Sequence, residues 1–393
     1  MSQIIKLSYY DAFRCIGGEC PFTCCQEWAI TVDEDTLEKW REISLEEIGI
    51  KVEKIAIGKK RVMLCDCIEH EESEQVIELN RDKTCPFLNK DKLCAVVVNL
   101  GDAYLSKTCT TYPRHIHKVG KREEYSLDFG CPAVIDLLYK EEKGIHFKEG
   151  EKERQETSVL EEIRQMLLER VQDEAYSLTE GILMAYCCLL ELLEEEKLTV
   201  EIVQAYKERD YLEALVSEMR TMQVEAIDSF WERNEQFLDR IQLYRKDETY
   251  TKDIEAYSVL AERLEEYYSD TWLLEKNEAF ETQYQGFEKL LRNYLAAEIW
   301  ANVLRDHMTL DDMVMVYQWV ILEYCGIKQL TFLKWVSEEQ RMVDYSMVRD
   351  AIMMIARMIA YDQDEIEKCL AYSFEEPILD WGTLALIVGS GKM

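Results

Sequence analysis

From residue 158 onward, apolar residues recur three and four positions apart. Ser158 and Glu161 make a helix-start signal, a capping hydroxyl answered by an acid three residues later. Val159, Ile163, Leu167 and Val171 then follow on one face. Ser177 with Glu180 repeats the signal ahead of residues 182–193, and Thr309 with Asp312 does so ahead of residues 314–324. Glu alternating with Lys or Arg fills the outward faces. The pattern predicts a large helical domain. From Trp381 to Met393 the periodicity fades, which predicts an extended tail packing back on the helices.

The first third of the chain is patterned differently. Short apolar runs at 28–32, 76–79 and 95–100 sit between cysteine-bearing loops. Ten of the 14 cysteines and four of the 5 prolines lie between residues 15 and 132. This shift in composition places a boundary within the charged stretch Lys140 to Glu156. The expected architecture is α+β, mostly α. A cysteine-rich metal-binding domain occupies 1–145, and a helical domain occupies 146–393.

The formal net charge is -32. A field of that sign repels phosphate backbones and anionic lipid, and draws lysine-bearing surfaces. The expectation is therefore no nucleic-acid partner and no membrane partner. No charged leader followed by an apolar core opens the sequence, and no apolar run is long enough to span a bilayer. A cytoplasmic location follows as an expectation. Thiols stay reduced there, so clustered cysteines point to metal rather than to disulfides.

The cysteines fall in a short-spaced set, Cys15, Cys20, Cys24 and Cys25, then Cys85 with Cys94, then Cys109, then Cys131. Cys20, Cys85 and Cys131 are each followed by proline, as is the last cysteine of a bacterial ferredoxin ligand run. Paired Cys-x2-Cys knuckles, which zinc sites favour, are missing. The spacing favours an iron–sulfur cluster of the 4Fe–4S kind, with zinc as the alternative. Cys65 and Cys67 have polar, charged neighbours and make a weaker ligand pair. Cys187, Cys188 and Cys325 lie in apolar helical sequence and read as small buried hydrophobes.

The segments FRCIGGECPFTCCQEWAI, CPFLNKDKLC, NLGDAYLSKTCTTYPRH and DFGCPA resemble the flagellin lysine N-methylase family, part of a wider group with a cysteine-rich zinc- or iron-chelating region. The resemblance is dense over residues 9–135, and is mostly one of length and helicity beyond. It implies Cys15, Cys20, Cys24, Cys25, Cys85, Cys94, Cys109 and Cys131 as metal ligands. It also implies S-adenosylmethionine-dependent methylation of protein lysines, with flagellin as substrate.

No Gly-x-Gly-x-x-Gly segment follows a strand, so a Rossmann cofactor site is not expected. Cys20-x3-Cys24 matches half of the radical-enzyme motif, but Glu27 stands where its third cysteine would be. Lysine methylation needs a neutral amine held in line and shielded from water. Candidate groups near the motifs are Tyr112 and Asp128 for catalysis, with Tyr125 and Asp102 close by. Arg114 is the candidate clamp for a cofactor carboxylate, and His115 and His117 are candidate ligands or bases. Two other classes stay open, a metal-binding interaction or sensing module without catalysis and an electron-transfer protein.

Overall fold

The computed structural model describes residues 3–28, 30–50, 61–71, 74–149, 158–222, 224–246, 252–339, 342–358, 361–374 and 376–389. Much of the expected boundary stretch, and the residues after Gly389, lie outside them. The described chain is mostly helical with six strands: β1 (Gln3–Leu7), β2 (Ile68–Glu71), β3 (Glu74–Ile77), β4 (Arg114–Val119), β5 (Arg122–Leu127) and β6 (Phe147–Glu149).

The chain divides into two compact units. One comprises Phe13–His115 and Cys131–Val134, and therefore contains all ten of the early cysteines. Its regular structure is sparse. It has α1 (Glu34–Trp40), α2 (Ala95–Leu100), α3 (Lys107–Thr111) and the β2–β3 hairpin. Asp33 caps α1 by accepting from the Thr36 amide, and Ser106 caps α3 by accepting from the Cys109 amide. A small apolar core gathers Trp40, Leu45, Ile48, Leu64, Phe87 and Val96. The Trp40 and Phe87 rings meet edge to face at 5.1 Å. Cys67 and Cys85 are buried in this core, and Cys25, Cys65, Cys94 and Cys109 pack against it.

The other unit comprises Met1–Ala12, Ile116–Gly130 and Ile135–Met393. Its sheet has the order β4-β5-β1-β6, with β1 parallel to β5 and antiparallel to β6. α4 (Pro132–Tyr139) leads on from the turn after β5. Then come α5 (Val159–Gln172), α6 (Leu178–Leu193), α7 (Val200–Ala205), α8 (Arg209–Met219), α9 (Ala226–Lys246), α10 (Lys252–Glu262) and the single turn α11 (Leu264–Tyr267). The series closes with α12 (Asp270–Tyr284), α13 (Glu288–Asn302), α14 (Leu310–Ser337), α15 (Tyr345–Arg357), α16 (Gln363–Ser373) and α17 (Trp381–Val388).

The three sequence-level start signals are all complete capping boxes: Ser158/Glu161 on α5, Ser177/Glu180 on α6 and Thr309/Asp312 on α14. Helix α14 is buried on every side from Met313 to Val336, as a central helix with apolar residues all round must be, and it carries Glu323, Lys328 and Lys334 into the interior. It packs against α6, α9, α13, α15, α16 and α17. Cys188 and Cys325 are buried in α6 and α14, as small hydrophobes would be, but Cys187 is corrected: it is only half-buried and its thiol donates to Glu191 at 3.5 Å.

The C-terminal expectation is corrected. Residues after Asp380 form a helix, α17, not an extended tail. Asp380 caps it by accepting from the Thr383 amide at 3.0 Å. Leu384, Ala385, Ile387 and Val388 are buried. Two turns are too few for a 3.6-residue period to show in sequence.

Among the described residues no helix is long and apolar enough to cross a membrane.

Candidate functional site

The thiol-rich unit is built by backbone pairing between distant loops. The Cys85 amide donates to the Cys25 carbonyl at 2.8 Å, and Gln26 bridges Thr84. The Ala95 amide donates to the Phe87 carbonyl at 2.8 Å, and Leu88 bridges Cys94. These links bring Cys25, Cys85 and Cys94 to one edge of the core, where Cys109 also packs.

The four thiols feel one another. Burial pushes Cys109 up to about 11, and Cys25 and Cys94 add to the rise. Burial raises Cys85 strongly, with Cys25, Cys94 and Cys109 contributing. Cys94 is raised by burial and then by Cys25. Cys25 itself is lowered to about 7, first by a hydrogen bond from the Cys24 thiol, while Cys24 is raised. Cys131 forms a second neighbourhood: burial raises it to about 12, and Cys20 and Cys15 add to this. All eight cysteines marked as ligands thus fall into these two neighbourhoods. Cys67 stands apart, raised to about 12 by burial and then by Asp66, Glu78 and Cys65.

Soft thiolates are the donor chemistry that iron–sulfur clusters and zinc share. Among the described residues, no group of three or more His, Cys, Asp or Glu is placed to hold a single metal ion.

The other sequence candidates separate between the units. Tyr112 lies in the thiol-rich unit, its ring edge-on to Trp28 at 5.0 Å. Trp28 also donates its indole N–H to the Cys24 carbonyl at 2.7 Å. Arg114 lies over the Phe13 ring at 5.0 Å, and His115 is exposed. Asp128 belongs to the helical unit and accepts from the Gly130 amide at 2.6 Å. His117 meets Glu124 at 3.1 Å.

Asp128 lies near a buried acid cluster that no motif or cysteine spacing marks. Glu298 on α13 and Glu323 on α14 are almost wholly buried. Tyr361 donates its phenol to Glu323 Oε2, and Tyr294 donates to the same oxygen at 3.4 Å. Asn302 Nδ2 donates to Glu298 Oε2, and Arg305 Nη2 donates to Asn302 Oδ1 at 2.6 Å. The buried atoms Glu323 Oε1, Arg305 Nε and the Tyr9 hydroxyl have no hydrogen-bond partner among the described residues.

Three acids so close in a low dielectric resist ionising together. Burial is the largest cause for both glutamates. It raises Glu323 to about 7, against the pull of Arg240 and the two phenols. Glu298 is raised further, with Glu323 and Asp128 adding to burial. The signal for these residues was available in the sequence. Each acid interrupts an apolar run, Ala296-Ala297-Glu298-Ile299-Trp300 and Ile321-Leu322-Glu323-Tyr324-Cys325.

Residues 164–387, more than half of the chain, match the family model described as the FliB lysine N-methylase C-terminal domain. The chain belongs to that family. The FliB match falls on the helical unit that carries the acid cluster. The cysteine-rich segments, where the resemblance looked densest, lie outside it.

A lysine-N-methylase of Salmonella choleraesuis (strain SC-B67) is 27% identical over 135 residues, 34% of this chain and 32% of that protein. A lysine-N-methylase of Salmonella typhimurium (strain LT2) gives the same figures, 27%, 34% and 32%. The flagellar biosynthetic protein FliU of Salmonella muenchen is 28% identical over 135 residues, 34% of this chain and 76% of FliU. The matched segment thus spans about a third of the lysine-N-methylases. No solved structure is similar to this FliB-family chain.

Proposed function

We propose that the chain is a protein lysine N-methyltransferase that uses S-adenosylmethionine and acts on flagellin. The observation that carries this reading is the FliB lysine N-methylase match over residues 164–387. FliU, a relative named for flagellar biosynthesis, supports a flagellar substrate.

The acid cluster supports amine chemistry. A lysine side chain enters as an ammonium and must lose a proton before its nitrogen can attack. Glu323, held at about 7, is the group suited to take that proton near neutral pH. Asp128 adds a negative field that favours an amine over competing neutral groups, while Glu298, raised further than Glu323, keeps its proton. Tyr361 and Tyr294 fix the Glu323 carboxylate by hydrogen bonding. S-adenosylmethionine, when bound, supplies the electrophilic methyl group. The acidic exterior, with a net charge of -32, speeds the approach of a lysine-bearing substrate.

The thiol-rich unit is read as the holder of an iron–sulfur cluster. Cys25, Cys85, Cys94 and Cys109 are the first ligand set, with Cys15, Cys20, Cys24 and Cys131 beside them. The three Cys-Pro steps support iron–sulfur over zinc.

Purified protein incubated with flagellin and methyl-labelled S-adenosylmethionine tests the activity. Label on flagellin lysines, reduced at least tenfold by Glu323→Gln with metal content unchanged, is the expected result. No label with any flagellin, from protein that retains its metal, would favour a metal-binding interaction module.

A further inference from the structure

The helical unit holds a cavity of about 790 Å3 that no thiol and no member of the acid cluster lines directly, although Tyr324, the neighbour of Glu323 on α14, stands in its wall. Its walls are largely apolar, with Leu183, Met219 and Leu291 among them. Its inner surface is different. Arg233 is 3% exposed, and its guanidinium reaches only the amide oxygens of Gln329 at 3.4 Å and Asn277 at 3.5 Å. Both contacts are longer than an ordinary hydrogen bond. Among the described residues no carboxylate pairs with it. Lys328 lies beside it, but that ammonium is already matched by Glu281 at 2.6 Å.

Two cations therefore share one carboxylate, and the inner surface keeps an unmatched positive charge. A guanidinium cannot shed its proton to escape burial, so the missing counter-charge must come from elsewhere. The buried hydroxyls of Ser229 and Tyr284 also line the cavity, and among the described residues neither has a hydrogen-bond partner. A carboxylate would satisfy all three groups. At the exposed side stand Glu275 and Glu278, which favour a positive charge. The volume suits a ligand of cofactor size.

We propose that this cavity is the S-adenosylmethionine site, with Arg233 binding the carboxylate of the methionyl group. The acidic side faces the cofactor's positive charge, and the apolar walls take its less polar parts. Arg233, rather than Arg114, is then the clamp for the cofactor carboxylate. This assignment rests on the cofactor dependence stated above.

Calorimetric titration of the full chain with S-adenosylhomocysteine and with decarboxylated S-adenosylmethionine tests it. Wild-type protein should bind S-adenosylhomocysteine. Arg233→Met should weaken that binding by about tenfold or more. The same substitution should change binding of the decarboxylated compound by less than about threefold. Leu274→Trp, a change on the partly exposed wall that narrows the cavity, should weaken both ligands, and it carries the test should Arg233→Met fail to fold. Wild-type binding that neither substitution alters would overturn the site and leave cofactor dependence standing. Absence of any binding by folded wild-type protein would overturn cofactor dependence as well.

Discussion

The amide of Cys85 donates to the carbonyl of Cys25 at 2.8 Å, joining two thiols sixty positions apart in sequence. That hydrogen bond and the Ala95–Phe87 link bring Cys25, Cys85 and Cys94 together from loops with few regular elements of their own, and Cys109 packs against the same core. In a segment of this kind, a bound cluster as proposed would supply much of the folding energy.

Cys85→Ala and Cys25→Ala should therefore lower bound metal and soluble yield together. Cys67→Ala should leave metal content unchanged, because Cys67 stands outside both thiol neighbourhoods. Cys188→Ala should leave the metal in place and cost only a packing term on the order of 1 kcal/mol. Metal analysis with thermal melts on the four variants checks this, and equal metal loss in all four would refute it.

Glu323 gives a pH signature. Its folded pKa of about 7 lies above the ordinary 4.5, mainly through burial. The folded state therefore holds the extra proton, and its stabilising effect is fully present below pH 4.5. It is lost as the pH rises through 7. The loss should be on the order of 3 kcal/mol. Glu323→Gln cannot ionise, so its melting temperature should fall less than that of wild type between pH 5 and pH 8. Parallel melting curves for the two proteins would contradict the assignment.

Glu124 gives the opposite signature. Arg164 grips both of its carboxylate oxygens at 2.7 Å, joining β5 to α5. Burial opposes ionisation of Glu124, but Arg164, His117 and Arg122 outweigh it and hold the group at about 2. Its stabilising effect is present above pH 4.5 and fades as the pH falls toward 2, by on the order of 3 kcal/mol. Arg164→Met removes the two-pronged partner of a buried carboxylate that keeps Arg122 and His117, and should cost about 1.5–3 kcal/mol in denaturant unfolding at pH 7. A loss below about 1 kcal/mol would show the pair to be unimportant.

The helical unit was largely legible because its signals are local. Capping boxes at Ser158, Ser177 and Thr309 need only four residues each, and periodicity runs through α5 and α6. Helix α17 escaped notice because two turns carry too little periodicity. Cysteine spacing marked the thiols, but it did not separate Cys25, Cys85, Cys94 and Cys109 from Cys15, Cys20 and Cys131. That separation depends on long-range backbone pairing. Asp128 was reached by proximity to a motif. Glu298 and Glu323 were legible only as acids that interrupt apolar runs, and Arg233, flanked by Glu232 and Asn234, was not, because in a helix a buried charge looks like any other charge until the facing helices are known.

The net charge of -32 predicts salt-sensitive encounter with flagellin. The association rate should fall as ionic strength rises to physiological values, where the field reaches only about 8 Å. Stopped-flow measurement across a salt series checks this. A rate independent of salt would remove electrostatic steering from the mechanism.

Lysine methylation is tested most directly by mass spectrometry of flagellin from cells with and without the gene. Methylated lysines should be present in the first and missing from the second, and should return when wild-type protein, but not Glu323→Gln, is restored. Identical lysine methylation in both strains would contradict the methyltransferase reading.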